Sequence, residues 1–593
     1  MTEKRSRRVF RLCIALTAVI FSMFALRLAD WQLVRGEELR SEAERAAQIT
    51  VPSHAARGEI LDRSGKGLVV NRTRWRLTLD KLRLDPDTLD DTLTRLNALL
   101  ARLGVRKEMP PDAIRRDMEE QGFSYAQPYV MADELPHSAV GALSEALQDV
   151  DGAAVEPYFV RSAVQPTIAP HLLGALGLPD TEEYAALSAQ GYGMNDKIGK
   201  FGIEKAFEAT LRGTDGATVV SRGATGDSAR TVAPRNGDTV WLTLDSRLQQ
   251  QAVRSLQKNI RAAKNAGSGE CESGAVVMLS VRDFSVLAAA SCPTYDLDRY
   301  SEYGDYYVSL AEDEAAPLFD RAFTGIFAWG SAFKPCVALA ALERGVVTPS
   351  TRFTCTKYYD YYPSNVVACM HYHGDESLRS AMAHSCNWYF AETGRRLGIG
   401  AIDDYAARFG LGEPTGVEIG ESVGMLAGRD SDEWHEGNTV QAAIGQSDNA
   451  FTPLQMAAYT ATLANGGKRL RVHLVSKITD YAREETVSRF DSPEPIADVG
   501  ASEKNLREIR EAMRAVTQDP EGTAHGVFGD FPVEVAGKTG TAENAGADHA
   551  AFICFAPCDA PEVALAVILE HGENTLYAQQ VARDLLESFF EKY

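Results

Sequence analysis

Residues Trp329-Gly330-Ser331-Ala332-Phe333-Lys334-Pro335 lead into Val337, Leu339 and Ala340 on a largely apolar helix that ends at Gly345. Residues three apart share a helical face, so the Lys334 amine can reach the Ser331 hydroxyl. A helix start also favours negative charge developing there. The same Ser-x-x-Lys string recurs at Ser255-Leu256-Gln257-Lys258, inside a uniformly polar helix with further cations, and reads there as a solvated face. Two matches in 593 residues is near chance. Ser331 and Lys334 therefore gain weight only from what accompanies them.

Serine acyl transfer needs a nucleophile, a base in contact with it, and oxyanion donors. A second element is Lys538-Thr539-Gly540-Thr541, at the end of the strand-like run Val533–Ala536. Gly537-Lys538-Thr539 could also be the tail of a phosphate-binding loop. That motif requires glycine where Pro532 stands, and a helix afterwards, where this chain offers strands. A glycine beside a lysine on an edge strand instead lets a peptide lie alongside as an added strand, with the ammonium near its carboxylate. The third element, Ser-x-Asn, occurs twice. Ser447-Asp448-Asn449 reads as a loop before the core helix that begins near Thr452-Pro453-Leu454-Gln455. Ser385-Cys386-Asn387 falls where two helical stretches join, and a bend there can aim a hydroxyl into a cleft. Ser385 and Asn387 are the choice.

Working outward, 593 residues at roughly 100–200 per domain allow several domains with cores. With 45% apolar and 24% charged residues, the composition is that of a globular protein. A net charge of -21 repels phosphate backbones, so nucleic acid is not expected as a partner. The N-terminus is the exception: Lys4, Arg5, Arg7, Arg8 and Arg11 precede or enter an apolar stretch that, taken from Val9 to Ala29, is long enough to span a bilayer. Basic residues ahead of it keep the N-terminus cytoplasmic. A cleaved signal peptide is the rival, but Arg27 and Asp30 stand where its small residues are wanted. Both readings export the remainder. Of nine cysteines, only Cys355 and Cys369, 14 apart in a Tyr-rich loop, suggest a disulfide; Cys386 and the rest read as core. Cys369-x-His371-x-His373 could ligate a metal, yet no further convergent set is evident, so no metal is expected. Tyr358, Tyr359, Tyr361 and Tyr362 read as a loop packed on the domain, and Glu312-Asp313-Glu314 as solvated surface.

Residues 36–48 read as a polar helix, and 51–72 as short strands and turns. Helical patterns follow at 85–103, 111–120 and 135–149. The Gly/Ser/Glu segment 266–273 looks like a boundary. Beyond it, 274–281 and 285–291 signal a hairpin. Helices dominate from 331 to about 465 and over 503–517; strands return at 532–541, 549–556 and 562–570, before a closing helix over 576–591. Helices around a mainly antiparallel sheet follow from that order.

In this order, Ser331/Lys334, Ser385/Asn387 and Lys538/Thr539/Gly540 together resemble the penicillin-binding protein and serine β-lactamase superfamily. Arg57-Gly58-Glu59-Ile60-Leu61-Asp62-Arg63, Gly202-Ile203-Glu204, Leu211-Arg212-Gly213, Asn236-Gly237-Asp238, Leu242-Thr243-Leu244-Asp245 and Gly445-Gln446 narrow the likeness to class B penicillin-binding proteins. Residues 73–165 carry no such motif; serine at 447, where glycine is usual, and Cys554 are departures. The resemblance implies a multidomain α+β chain. It would have a cytoplasmic tail (1–8), a single-pass transmembrane helix (9–29) and an elongated pedestal of the dimerisation type (30–245). An extracytoplasmic transpeptidase domain (246–593) would hold the antiparallel sheet packed by helices.

The resemblance also implies a D,D-transpeptidase of cell-wall synthesis that needs no cofactor. Ser331 would attack the D-Ala-D-Ala bond of a peptidoglycan stem peptide, with Lys334 as base, its pKa depressed by burial and by Lys538 as neighbouring cation. Ser385 would relay the proton, Asn387 hold the peptide, and Thr539, Gly540 and Thr541 bind the terminal carboxylate and strand. β-Lactams would acylate Ser331. A membrane glycan polymerase of the shape, elongation, division and sporulation family would supply strands. Hydrolysis, as in a carboxypeptidase or β-lactamase, keeps the site but has no use for pedestal and tether. A β-lactam sensor would need a cytoplasmic signalling segment, and a bifunctional class A enzyme a glycosyltransferase domain in place of the pedestal. Elongation, division and sporulation all stay open as settings, as does the attacking amine.

Overall fold

A computed structural model describes residues 2–34, 48–53, 55–81, 83–84, 87–124, 127–221, 228–267, 269–302, 304–428, 434–490 and 494–591. The polar helix expected over 36–48 falls almost entirely outside them. The N-terminal helix Thr2–Ala29 continues as a wider turn over Asp30–Val34. Phe10–Gln32 is long and apolar enough to cross a membrane, and Leu12, Leu16, Phe21, Phe24 and Leu26 are all exposed on it. Such a bare apolar surface calls for an apolar solvent.

Two compact units make up the chain. The first comprises 1–56, 72–160 and 213–236. In it, helices Leu89–Arg102, Pro111–Glu120 and His137–Ala146 share a small core with strand Tyr129–Ala132, built from Leu77, Leu96, Leu100, Ile114, Tyr129, Met131 and Leu143. The stretch without motifs thus folds on its own apolar periodicity. A separate antiparallel sheet joins Gln48–Ser53, Gly216–Ser221 and Ser228–Val232. The strand Gly67–Leu79, whose residues from 72 onward belong to this unit, is longer than the short pieces and turns expected there.

The second unit comprises 57–71, 161–212 and 237–593. Segments far apart in the chain meet in it through a buried ion network. Arg57 donates to Glu204 and Glu208, each at 2.7 Å, and Arg161 donates to the other Glu204 oxygen at 2.7 Å. Burial alone would raise the Glu204 carboxyl, but the two guanidiniums hold it below its ordinary value. Gly58 lies so close to the Asp238 carbonyl that a Cβ would collide with it, and its N–H donates to the Leu211 carbonyl at 2.7 Å. These contacts account for much of the motif spacing between 57 and 238.

Helix α1 (Ser246–Ala266) is followed by strands β1 (Gly274–Ser280) and β2 (Val286–Cys292). The segment 266–273 is therefore a connection inside one unit, and no boundary. Helices α2 (Lys334–Glu343), α3 (Leu378–Ala383), α4 (Asn387–Leu397), α5 (Pro453–Ala464) and α6 (Glu503–Gln518) come next. Strands β3 (Ala536–Ala542), β4 (His549–Ala556) and β5 (Val563–Leu569) follow, then helix α7 (Leu576–Phe590). The sheet order is β2-β1-β5-β4-β3, antiparallel throughout, which leaves β3 at an edge. Every residue of β5 is buried, so both faces are covered, by α1 and α7 packed together on one and α5 on the other. Between α2 and α3 the expected helices give way to short paired strands, Phe353–Cys355 with Gly374–Glu376 and Tyr358–Tyr359 with Val367–Ala368. β-Branched and aromatic residues favour that choice over helix.

Ser255 is buried, contrary to the solvated face expected of it. Helix α1 turns Leu248, Ala252, Leu256 and Ile260 inward, and Ser255 lies on that side, donating to Asp584 of α7 at 2.7 Å.

Candidate active site

Four backbone segments build the site, and glycines let them touch. Ser331 stands in a tight turn, Gly330–Phe333, leading into α2. Gly330 has φ +49, and a Cβ on it would strike the Thr541 carbonyl. A Cβ on Gly540 would strike the Trp329 carbonyl, and one on Gly445 the Gly330 carbonyl. The turn is thus wedged between the edge strand β3 and the loop at 445. The Gln446 amide ties that loop to β3 by donating to the Thr541 carbonyl at 3.2 Å. Gly445-Gln446 carried the family likeness, but Gln446 was not among the expected site residues.

Ser385 sits between α3 and α4 at φ +55, a left-handed bend rare for residues other than glycine. The bend aims its hydroxyl at two lysines. Lys334 Nζ donates to Ser385 Oγ at 3.2 Å, to the Ser385 carbonyl at 2.8 Å and to Asn387 Oδ1 at 2.7 Å. Lys538 Nζ donates to Ser385 Oγ at 2.9 Å and to the Thr539 carbonyl at 2.9 Å. Both lysines are fully buried. The expected direct bond from Lys334 to Ser331 is not made; among the described residues Lys334 spends its three donors on the Ser385–Asn387 turn. Lying at the very start of α2, its side chain reaches that turn.

Among the described residues, no carboxylate pairs with either ammonium. Burial pushes Lys334 down to about 8. Burial, and then the charge of Lys334, push Lys538 well below its ordinary value. The sequence reading made Lys538 the cation that depresses Lys334; the repulsion instead tells on Lys538, and burial accounts for Lys334. Two amines on one hydroxyl titrate as a pair.

Asn387 opens α4, and its amide donates to the Ala368 carbonyl at 2.8 Å. Thr541 is exposed on β3, whereas Thr539 is buried and pairs with the Thr523 hydroxyl at 2.8 Å. Thr523, from the loop after α6, was missed because nothing local marks it. His384, next to Ser385, meets Glu376 at 2.7 Å and Glu521 at 3.3 Å, which anchors the bend from its other side. The rival Ser447-Asp448-Asn449 is structural. Ser447 has φ +64, and buried Asn449 accepts from Ala427 N–H at 3.0 Å. Glycine suits such a φ, and serine occupies it here at a cost.

One cluster corrects the expectation that nothing converges with Cys369. Cys355, Cys369, Cys386 and His373 bring one donor atom each to within 4.8 Å of one another, while His371 is exposed outside the set. Cys355 and Cys369, the pair read as a disulfide, are free thiols with sulfurs 3.7 Å apart, and Cys369 and Cys386 lie at 3.8 Å. A tetrahedral Zn²⁺ with bonds of about 2.3 Å to sulfur spaces its ligands by about 3.8 Å, so this donor set fits a soft divalent cation. Hydrogen bonds from the Cys386 thiol and then the Trp388 N–H hold the Cys369 thiol below its ordinary value. Of the tyrosines, Tyr359 is buried and donates to Glu392 at 2.7 Å; Tyr358 and Tyr361 are exposed, as are Glu312, Asp313 and Glu314.

Residues 274–587 match the family model for the penicillin binding protein transpeptidase domain, and 52–242 that for the penicillin-binding protein dimerisation domain. A peptidoglycan D,D-transpeptidase MrdA of Acinetobacter baumannii is 27% identical over 620 residues, covering 98% of this chain and 88% of the relative. A penicillin-binding protein (PBP2) solved in complex with MreC from Helicobacter pylori shares the fold, with TM-score 0.77 at 23% identity over 92% of this chain and 99% of that one. A chain from the structure titled "Structural coordination of polymerization and crosslinking by a peptidoglycan synthase complex" superposes with TM-score 0.74 at 28% identity, over 99% of each. The chain belongs to the penicillin-binding protein transpeptidase family, as a class B penicillin-binding protein whose dimerisation-type domain precedes a serine D,D-transpeptidase domain.

Proposed function

We propose that the cross-linking of peptidoglycan stem peptides runs through an acyl-enzyme on Ser331. The convergence of two buried lysines on the Ser385 hydroxyl, beside the Ser331 turn, carries this reading. Lys334, low enough to lose its proton near neutral pH, takes the Ser331 proton as the oxygen attacks the carbonyl between the two terminal D-Ala residues. The C–N bond breaks, and Ser385 passes a proton from the lysine pair to the leaving amine, so that D-Ala departs neutral at nitrogen. Asn387 holds the peptide amide. The edge of β3 takes the substrate as an added strand, with Gly540 letting the Ser331 turn close against that strand, and Thr541 and Thr539 bind the terminal carboxylate near Lys538. The backbone N–H groups of Ser331 and Thr541 serve as the oxyanion hole. An amine of a second stem peptide attacks the ester, and the Ser331 hydroxyl is restored. β-Lactams acylate the same oxygen.

In this reading residues 1–8 are cytoplasmic, 9–29 cross the cell membrane, 30–245 form the pedestal and 246–593 the extracytoplasmic transpeptidase domain. The partner is a membrane glycan polymerase, in keeping with the joint polymerisation and cross-linking named for the similar synthase complex. Fluorescent penicillin on the full chain tests the assignment. A stable adduct on the parent protein and none on Ser331→Ala are expected. A labelled Ser331→Ala protein would move the nucleophile elsewhere, and release of the adduct within seconds would make the enzyme a hydrolase.

A further inference from the structure

Away from the lysine pair, the second unit holds a cavity of about 640 Å³, within the range of small-molecule sites. Phe201, Tyr295, Tyr300 and Phe319 line it, together with Lys205 and Asp320. The rings brace one another. Phe201 meets Tyr300 edge to face at 5.7 Å between centroids, Tyr300 meets Tyr295 at 5.3 Å, and His171 meets Tyr295 edge to face at 5.1 Å. His171 is itself held by the Pro317 carbonyl, 2.7 Å from its Nε2. Phe319 adds a ring that is 43% exposed. These walls need no ligand to hold them in place.

Three polar groups among the rings have no use inside the protein. Tyr295 is only 3% exposed, yet its hydroxyl has no hydrogen-bond partner among the described residues. Leaving a buried hydroxyl unpaired costs free energy, and such groups are uncommon. Asp320 spends one oxygen on the Ser291 hydroxyl at 2.9 Å and the Ala322 N–H at 3.1 Å; among the described residues its other oxygen accepts nothing. Lys205 is exposed and has no ion-pair partner among the described residues, whereas nearby Lys200 is held by Glu183.

The three groups select among occupants. A lipid tail would fill the rings and leave the Tyr295 hydroxyl and the Asp320 oxygen unpaired. An inorganic anion would suit Lys205, but it repels Asp320 and offers it no hydrogen to accept. A sugar ring answers all of them. Its C–H face lies on an aromatic face, its hydroxyls donate to Asp320 and pair with Tyr295, and a carboxylate on it meets Lys205. We propose that this cavity is a second binding site, for a saccharide that carries a carboxylate, and that its source is the glycan strand of peptidoglycan.

The cavity wall continues along the chain toward the nucleophile. After Asp320 come Phe327, whose N–H donates to the Phe451 carbonyl at 3.0 Å, and Trp329, whose indole donates to the same carbonyl at 2.9 Å, and then Ser331. A strand seated here stays on the unit that holds the catalytic turn while stem peptides are exchanged there. That use rests on the reaction proposed above; occupancy of the cavity does not.

The test therefore reads binding apart from catalysis. Full-length protein in detergent is titrated with the disaccharide N-acetylglucosaminyl-N-acetylmuramic acid and with neutral N,N′-diacetylchitobiose, followed by ligand-detected NMR, before and after acylation with penicillin. The acidic disaccharide should bind saturably, roughly three- to five-fold tighter than chitobiose, and equally before and after acylation. Lys205→Glu should erase that preference while leaving chitobiose binding as it was. Phe319→Ala should weaken both sugars several-fold. Both side chains are exposed, so each variant should fold as the parent does. Absence of saturable binding, chitobiose held as tightly as the acidic disaccharide, or either variant matching the parent overturns the proposal. So does loss of binding on acylation, which would put the sugar in the Ser331 groove. A protein that penicillin fails to label would sink the reaction assigned to Ser331, while the titration of unlabelled protein still decides the cavity.

Discussion

Ser331-x-x-Lys334 and Ser255-x-x-Lys258 present the same letters at the same spacing and could hardly differ more in surroundings. Ser255 and Lys258 lie mid-helix and both turn to Asp584, at 2.7 and 3.1 Å, with the Lys258 side chain 64% exposed. Lys334 is wholly buried; among the described residues its ammonium donates to a hydroxyl, a carbonyl and an amide oxygen and lies over the Phe390 ring. Spacing supplies proximity in both. A carboxylate and water make one a surface-anchored ion pair; burial, outweighing the pull of the Cys386 and Cys369 thiols, makes the other an amine ready to give up its proton.

The sharpest way to break that contrast is to remove each hydroxyl. Ser331→Ala should abolish covalent penicillin labelling, and Ser255→Ala should leave it intact; a gel of the two adducts decides. Removing each amine comes next. Lys334→Ala should slow acylation by about 10²–10⁴-fold, the usual worth of a positioned base, while Lys258→Ala should leave the rate alone in a stopped-flow assay.

A pH profile sharpens the comparison further. The neutral amine is the active form, so acylation should climb as pH rises toward the Lys334 value of about 8 and fall roughly ten-fold for each unit below it. Stability should move the same way. An unfolded lysine titrates near 10.5 and the folded Lys334 near 8, so the folded state binds fewer protons between them and gains stability as pH rises through that window. A flat profile from pH 6 to 9 would count against Lys334 as base.

The two Ser-x-Asn strings give the smallest effect. Ser385 and Ser447 are both left-handed, at φ +55 and +64. Glycine at either should relieve about 1 kcal/mol of strain, read by denaturant unfolding. Ser447→Gly should acylate as before, whereas Ser385→Gly should gain stability and lose most of its rate. Equal rates would show that the two bends are interchangeable.

What was legible follows from range. Strands β1, β2, β4 and β5 and helix α7 came close to their expected limits because pattern and turn residues act within a few positions. The choice of Ser385 over Ser447 also rested on local setting, a junction between helices. The Cys355/Cys369/His373/Cys386 cluster was not legible: its donors come from a strand end, a loop and a helix cap, and no spacing rule joins them. Thr523 and His384 escaped notice for the same reason. The strand Gly67–Leu79 was hidden by the charged Arg72, Arg74 and Arg76, which interrupt its apolar run.

The chain's own letters determined the reaction class, the sheet and the apolar N-terminal helix, and marked Ser331 as the nucleophile now proposed, because each depends on residue type and on neighbours a few positions away. The folded molecule decided which amine meets which hydroxyl, which lysine bears the repulsion, and which cysteines stand together. Those depend on distances of a few ångströms between residues up to about two hundred positions apart, and long-range packing alone sets them.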